Sequence, residues 1–278
     1  MYGKQGKLDK TLTFYLPLVM MLVWTLFPVY WTLNTAFKPE GDIIKSPIQY
    51  FPKNFTLDNF VNAWNDVGFS VYFKNSFIIG FGTVLFTLIL SVLAGYALAR
   101  YDFKGKKTVM MILLMTQFIP RSMLIIPLFV MFSNVGLISN PISLILIYSA
   151  VQIPFSAILM RGFIAGIPRE LEEAAAIDGA NRLQIITKVI SPLLLPGVVA
   201  TSVNIFVYSW NEFLLALMLT NNQNKFTLPV GLSFMLGEFN INYGALAAGS
   251  VIALVPSVIL FIFAQKHLVS GMGGAVKG

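Results

Sequence analysis

The chain of 278 residues contains no cysteine and a single histidine, His267. Disulfide frameworks, thiolate metal sites, thiol nucleophiles and histidine-based triads are thereby excluded. Charge is scarce as well: Asp, Glu, Lys and Arg make up 11% of the sequence, against 56% hydrophobic residues. With a mean hydropathy of +0.76, this composition lies outside the range of ordinary soluble domains. A net charge of +7 would suggest nucleic acid in a soluble protein, but here it reports which side the loops face, and no nucleic-acid partner is expected. A phosphate cradle is also missing. Gly105-Lys106-Lys107-Thr108 has neither the upstream glycine nor the Lys-Ser/Thr pair such a loop requires. No nucleophile, base and orienting acid can be assembled from what remains, so the chain reads as a non-catalyst, with no metal site and no cofactor of its own.

What is present is a series of long apolar runs. Spans are expected at 11–36, 75–99, 108–132, 142–161, 196–219 and 243–265, each near the ~20 residues that a bilayer core requires. The first is too long for a signal-peptide core and has no small-x-small site before Lys38, so it reads as an uncleaved helix. The expected fold class is an all-α, multi-pass membrane protein of six transmembrane helices, forming a single domain over 1–278. A short helix is expected near 56–66, and Gly136, Asn140 and Pro141 mark a tight turn. Lys38, Lys45, Lys53, Lys74 and Lys225 fall in one set of loops and Arg121 inside a span; every other Lys and Arg falls in the opposite set. The positive-inside rule then puts both termini and the segment 166–192 in the cytoplasm.

That segment carries dense helix punctuation. Pro168 suits a first helical position, and Glu170, Glu172 and Glu173 place negative charge at a helix N-terminus. Ala174, Ala175 and Ala176 follow; Asp178 and Gly179 offer a left-handed stop, and Asn181 with Gln184 a capping box. Pro192 and Pro196 are expected to end the second helix. The result is helix, sharp turn, helix, with a small-residue face open to close approach.

Glu173-Ala174-Ala175, then Gly179, then Val189 and Pro192, resembles the EAA loop of the membrane-spanning subunits of binding-protein-dependent ABC importers. One departure is Ser191, where the family usually has leucine before the proline. Trp210-Asn211-Glu212-Phe213, then Thr227 to Leu232 and the tail Gly273 to Gly278 look like the carbohydrate branch, similar to the smaller permease of maltose-type importers. The resemblance implies a type I importer permease fold in a prokaryotic cytoplasmic (inner) membrane. It implies a homologous second permease, two cytoplasmic ATPase subunits holding ATP and Mg, and an extracytoplasmic sugar-binding protein. By the same resemblance Glu172, Glu173, Ala174, Ala175, Asp178, Gly179 and Pro192 couple to the ATPase, and the tail inserts between the ATPase subunits. The outer loop Asn221, Asn222, Gln223, Asn224 and Lys225 would reach the binding protein. Within the resemblance the alternative is an importer permease for a non-sugar solute. Two other classes stay open on the residues alone: a secondary transporter or channel, which would want intramembrane acids beyond Glu212 or inverted repeats, and a membrane-embedded scaffold or polytopic enzyme.

Polar groups inside the apolar runs suggest a pathway. Asn204, Tyr208, Asn211 and Glu212 share one helical face. Counted along straight helices, Glu212 lies roughly 24 Å and Arg121 roughly 20 Å from the cytoplasmic end. At similar depth the two charges are expected to pair, or to face a wet cavity with Gln117 beside them. Tyr148 and Gln152 could join the lining, with Tyr208 or Trp210 offering a ring to the solute. Interhelical hydrogen bonds that merely hold the bundle are the alternative. Stripes at Thr83, Thr87, Ser91 and Gly95, and at Ala245, Gly249, Ala253 and Ser257, suit close helix packing, within the chain or against another subunit.

Overall fold

The computed structural model describes residues 11–236 and 241–275, and all regular structure among them is helical. Lys4, Lys7 and Lys10 and the last tail residues, Val276 to Gly278, lie outside the described residues. The principal helices are α1 (Leu16–Ala36), α2 (Phe69–Arg100), α3 (Lys106–Met115), α4 (Arg121–Asn134) and α5 (Pro141–Ala165). They are followed by α6 (Glu170–Ile177), α7 (Leu195–Asn211), α8 (Leu214–Leu219), α9 (Leu228–Phe234) and α10 (Tyr243–Ala275). Two units pack separately: Met1–Phe69 with Leu232–Val255, and Ser70–Gly231 with Pro256–Gly278.

In the first unit Ala36, Ala63, Ala245, Ala247 and Ala248 form an all-alanine core, which lets backbones approach where lipid supplies no hydrophobic drive. The start of α10 is fastened by Glu40, whose carboxylate accepts from the Tyr243 and Gly244 backbone N–H groups at 2.9 and 2.7 Å. These are two of the orphan donors that every helix N-terminus carries. Asn59 donates to the carbonyls of Ala36 and Lys38 at 2.9 and 2.7 Å. A Cβ on Gly244 would stand 2.4 Å from the Asn59 Oδ1, so a larger residue there would displace the Asn59 amide from these bonds. Between these elements, short helices occupy Asp58–Val61 and Asn62–Asp66.

In the second unit the stripe on α2 is covered from within the chain. Thr83, Thr87 and Ser91 are fully buried, and a Cβ at Gly95 would meet the Met160 Cβ at 2.7 Å and the Arg161 backbone at 2.9 Å. Helix α2 therefore packs backbone-close on α5, and this stripe is not a free subunit interface. Asn140 caps α5 through Ile142 N–H at 3.0 Å, and Gly136 takes the left-handed turn at φ 68°.

Two of the expected spans are not straight. Ile119 and Pro120 are extended (ψ 119° and 123°), because the residue before a proline is pushed out of the helical region. The halves Lys106–Phe118 and Arg121–Asn134 meet at 95°. The run expected at 196–219 also breaks, at extended Glu212 between α7 and α8. Among the described residues, by length and composition four helices can cross a membrane, or up to six if each bent pair counts as one span. Helix α10 runs on through Gly271, Gly273 and Gly274 to Ala275.

Candidate functional site

The loop between α5 and α7 is built as its punctuation requires. Gly179 adopts φ +89° after α6, and the Asn181–Gln184 capping box closes in both directions at 2.9 and 2.8 Å. The following helix passes through Pro192 instead of ending there. A π-helical stretch over Ile185–Ile190 shifts the register ahead of the proline, and the Ser191 hydroxyl donates to the Ile186 carbonyl at 2.8 Å. Ser191, the departure from the family pattern, thus satisfies a carbonyl in the irregular turn. The bend of 81° comes after Leu193, where Pro196 occupies the first turn of α7.

The back of this loop is bolted to the helix ends. Tyr96, Met160, Ile164, Ile167, Ile185, Ile190 and Leu194 form a buried cluster. Next to it, Glu172 accepts from the Tyr96 hydroxyl at 2.7 Å and from the Arg100 Nε. Arg100 also donates to the Ile167 carbonyl at 2.9 Å. Both ionic side chains are only 7% exposed. Glu172 is therefore a structural anchor, while its neighbour Glu173 points into solvent with Ala174, Ala176 and Asp178. Beside them Ile177 is 87% and Leu183 65% exposed. The outward face is small, apolar and fringed with acid. Tyr96 and Arg100 are absent from the expected site residues; the only sequence signal at Arg100 is its place among the positive charges of the loops set in the cytoplasm.

Among the polar residues expected inside the apolar runs, the Arg121–Glu212 pair does not form. The 95° bend at Pro120 invalidates depth counting along a straight helix, and Glu212 is otherwise engaged. Its carboxylate accepts from the buried Tyr148 hydroxyl at 2.7 Å and from the Leu215 and Ala216 backbone N–H groups at 3.0 and 3.1 Å. Glu212 thereby caps α8 across the helix break. Arg121 instead lies 4.6 Å from the centre of the Tyr208 ring, and Tyr208 meets Tyr148 edge to face at 5.9 Å. The two charges are linked through two tyrosines. Trp210, offered above as a ring for the solute, is 2% exposed and packs among Phe73, Phe77 and Phe206; it is core. Asn204 and Asn211 are exposed on α7, Gln152 is buried in α5, and Gln117 donates to the Val151 carbonyl at 3.4 Å. A cleft of about 450 Å³ opens beside Gln117 and Arg121, walled by α4 and α5 residues such as Leu128, Met131, Leu146 and Ile147.

The loop Asn221–Lys225 is pinned at both ends. Ser139 and Asn221 exchange hydrogen bonds at 2.5 and 3.0 Å. Asn75 donates to the carbonyls of Asn224 and Phe226 at 2.9 and 3.0 Å. Gln223 donates to the Tyr72 hydroxyl at 2.9 Å. Asn221, Asn222, Gln223, Asn224 and Lys225 all remain exposed, so an ordered polar tip stands on rigid supports.

Comparison with known proteins places these features in a family. The family described as "Binding-protein-dependent transport system inner membrane component" matches residues 88–273. A diacetylchitobiose uptake system permease of Streptomyces coelicolor is 36% identical, covering 94% of this chain and 95% of the relative. A trehalose/maltose transport system permease of Thermococcus litoralis is 33% identical, covering 94% of each. Among solved structures, a chain of a bacterial ABC transporter that imports the acidic polysaccharide alginate superposes with a TM-score of 0.84. It is 22% identical and covers 96% of this chain and 98% of its own. The all-helical type I importer permease fold implied by the sequence resemblance is the fold found.

Proposed function

The chain belongs to the binding-protein-dependent transport system inner membrane components, and from that premise we propose that it forms half of the translocation pathway of an ATP-driven sugar importer. The diacetylchitobiose and trehalose/maltose permeases among its relatives support a carbohydrate or oligosaccharide cargo. In this reading the protein crosses the inner membrane several times with both termini in the cytoplasm, and pairs with a homologous permease. Two ATPase subunits supply hydrolysis of ATP with Mg, and an extracytoplasmic binding protein delivers the sugar.

One observation carries the mechanism: the Glu170–Leu193 loop is anchored on one side and open on the other. The Glu172–Arg100–Tyr96 bonds and the buried cluster tie it to α2 and α5, so a push on its exposed face moves those helices with it. Glu173, Ala174, Ala175, Asp178 and Gly179 lie on or beside the face a partner would meet, and Pro192 lies toward the bend into α7. Closure of the ATPase dimer would displace this face and rock the helices, opening the pathway outward; nucleotide biases the conformations through differential contacts. The Asn221–Lys225 tip is assigned to the binding protein. The test is purification of the complex from its host, with ATP hydrolysis measured against a panel of carbohydrates. A copurifying ATPase and second permease, with hydrolysis raised by one sugar plus its binding protein, is expected. A chain that purifies alone and transports without nucleotide would refute the proposal.

A further inference from the structure

Arg121 is an exposed cation at the rim of a largely apolar cleft, and among the described residues it has no ion-pair partner. It opens α4 directly after Pro120, and with Gln117 it forms the polar end of the 450 Å³ cleft. Among the described residues its guanidinium has one partner, the face of the Tyr208 ring. A ring face contributes only about 0.5–2 kcal/mol, and all five N–H donors stay uncommitted. Glu212, one turn beyond Tyr208, forms no ion pair with it; its carboxylate accepts from the Tyr148 hydroxyl and two backbone N–H groups instead. The Tyr208 hydroxyl is buried and also lacks a hydrogen-bond partner. Gln117 holds only its long contact to Val151.

Within a membrane-spanning segment an exposed charge is costly unless it meets water, a partner or an anion. The guanidinium fork matches a planar, bidentate oxyanion, and the cleft falls in the size range of small-molecule sites, roughly 300–1,000 Å³. We propose that Arg121, assisted by Gln117 and Tyr208, holds the anionic group of an acidic sugar, a carboxylate or sulfonate, as it passes through this subunit. The proposal rests on the reading of the chain as a sugar permease and names the class of sugar. Asn204 and Asn211, exposed on the helix that carries Tyr208, are amides suited to the hydroxyls of the same solute.

The test uses the whole complex in nanodiscs with a non-hydrolysable ATP analogue. Ser122→Cys serves as reporter, since this chain has no other cysteine and Ser122 is exposed. The probes are a triuronate oligosaccharide and its carboxyl-reduced neutral counterpart, in which a hydroxymethyl group replaces each carboxylate. The triuronate should slow maleimide labelling of the reporter at concentrations roughly ten- to a hundredfold below those needed of the neutral sugar. Arg121→Gln should erase that difference, and Arg121→Lys should keep part of it. Equal protection by both sugars would overturn the anion site and leave the sugar pathway standing. Protection by neither sugar, with labelling that depends on anionic lipid in the nanodisc, would overturn it in favour of a headgroup contact. Loss of the second permease on Arg121→Gln would overturn it in favour of an acid on that subunit. Absence of any sugar-stimulated hydrolysis in the unmodified complex would instead fell the sugar reading itself.

Discussion

Replacing Glu172 with alanine would strand Arg100 inside the loop anchor. Both side chains are only 7% exposed, so the guanidinium would lose its counter-charge without gaining water, and Tyr96 would lose the acceptor it holds at 2.7 Å. Arg100 would keep the Ile167 carbonyl, a neutral acceptor that does not cancel its charge. Removing one partner of a buried pair costs roughly 3–5 kcal/mol. At about 2–4 °C per kcal/mol for a chain of this size, Tm should fall by on the order of 10 °C. The control is Lys106–Asp102, an i,i+4 pair whose aspartate is 88% exposed; Asp102→Ala should cost no more than about 1 kcal/mol. The double variant Arg100→Met with Glu172→Leu removes both charges together and should recover most of the loss. Thermal unfolding of the purified protein, followed by circular dichroism, reads all three. The reasoning is refuted if Glu172→Ala and Asp102→Ala shift Tm alike, or if the double variant is worse than the single one.

Gly179 has nothing within 4 Å of a built Cβ but sits at φ +89°, so its cost of substitution is purely conformational, about 1 kcal/mol for alanine. Asn should be tolerated better than Ala and Ala better than Val, in both Tm and retention of the ATPase; an equal response to all three would count against the turn. Gly95→Ala should destabilise by roughly 1–3 kcal/mol, because the new methyl meets the Arg161 backbone at 2.9 Å. Gly162→Ala in the same helix pair has open space and should be neutral or stabilising by up to about 1 kcal/mol, a contrast that one melting series can check. The Asp42 carboxyl is held below the usual carboxylate range, first by its hydrogen bond from Lys45 and then by that from Asn54. Its contribution to the order of the 38–66 loop is complete above the ordinary aspartate range and is lost as pH falls through the lower folded value. Limited proteolysis of that loop should therefore accelerate only at strongly acid pH, and Asp42→Asn should already be cut faster near neutrality.

Features set by neighbouring residues were legible from the sequence alone. The left-handed stop at Gly179, the Asn181–Gln184 box, the tight turn at Gly136 and the apolar runs depend on groups a few positions apart, whose chemistry acts whatever the rest of the chain does. The family followed from the same local pattern, because its docking loop is contiguous. Which of two adjacent glutamates is buried was not legible: both suit the first turn of α6, and the choice belongs to Arg100 and Tyr96, more than seventy residues earlier. The same holds for Trp210, whose place is decided by Phe73, Phe77 and Phe206 packing around it. Arg121 and Glu212 were placed at matching depth by counting along straight helices. Pro120 bends one of those helices by 95°, and Glu212 spends its lone pairs on a helix break and a tyrosine. A helical period tells which residues share a face, whereas the partner of a buried charge is decided by which helices come to lie together, and that is a property of the packed chain.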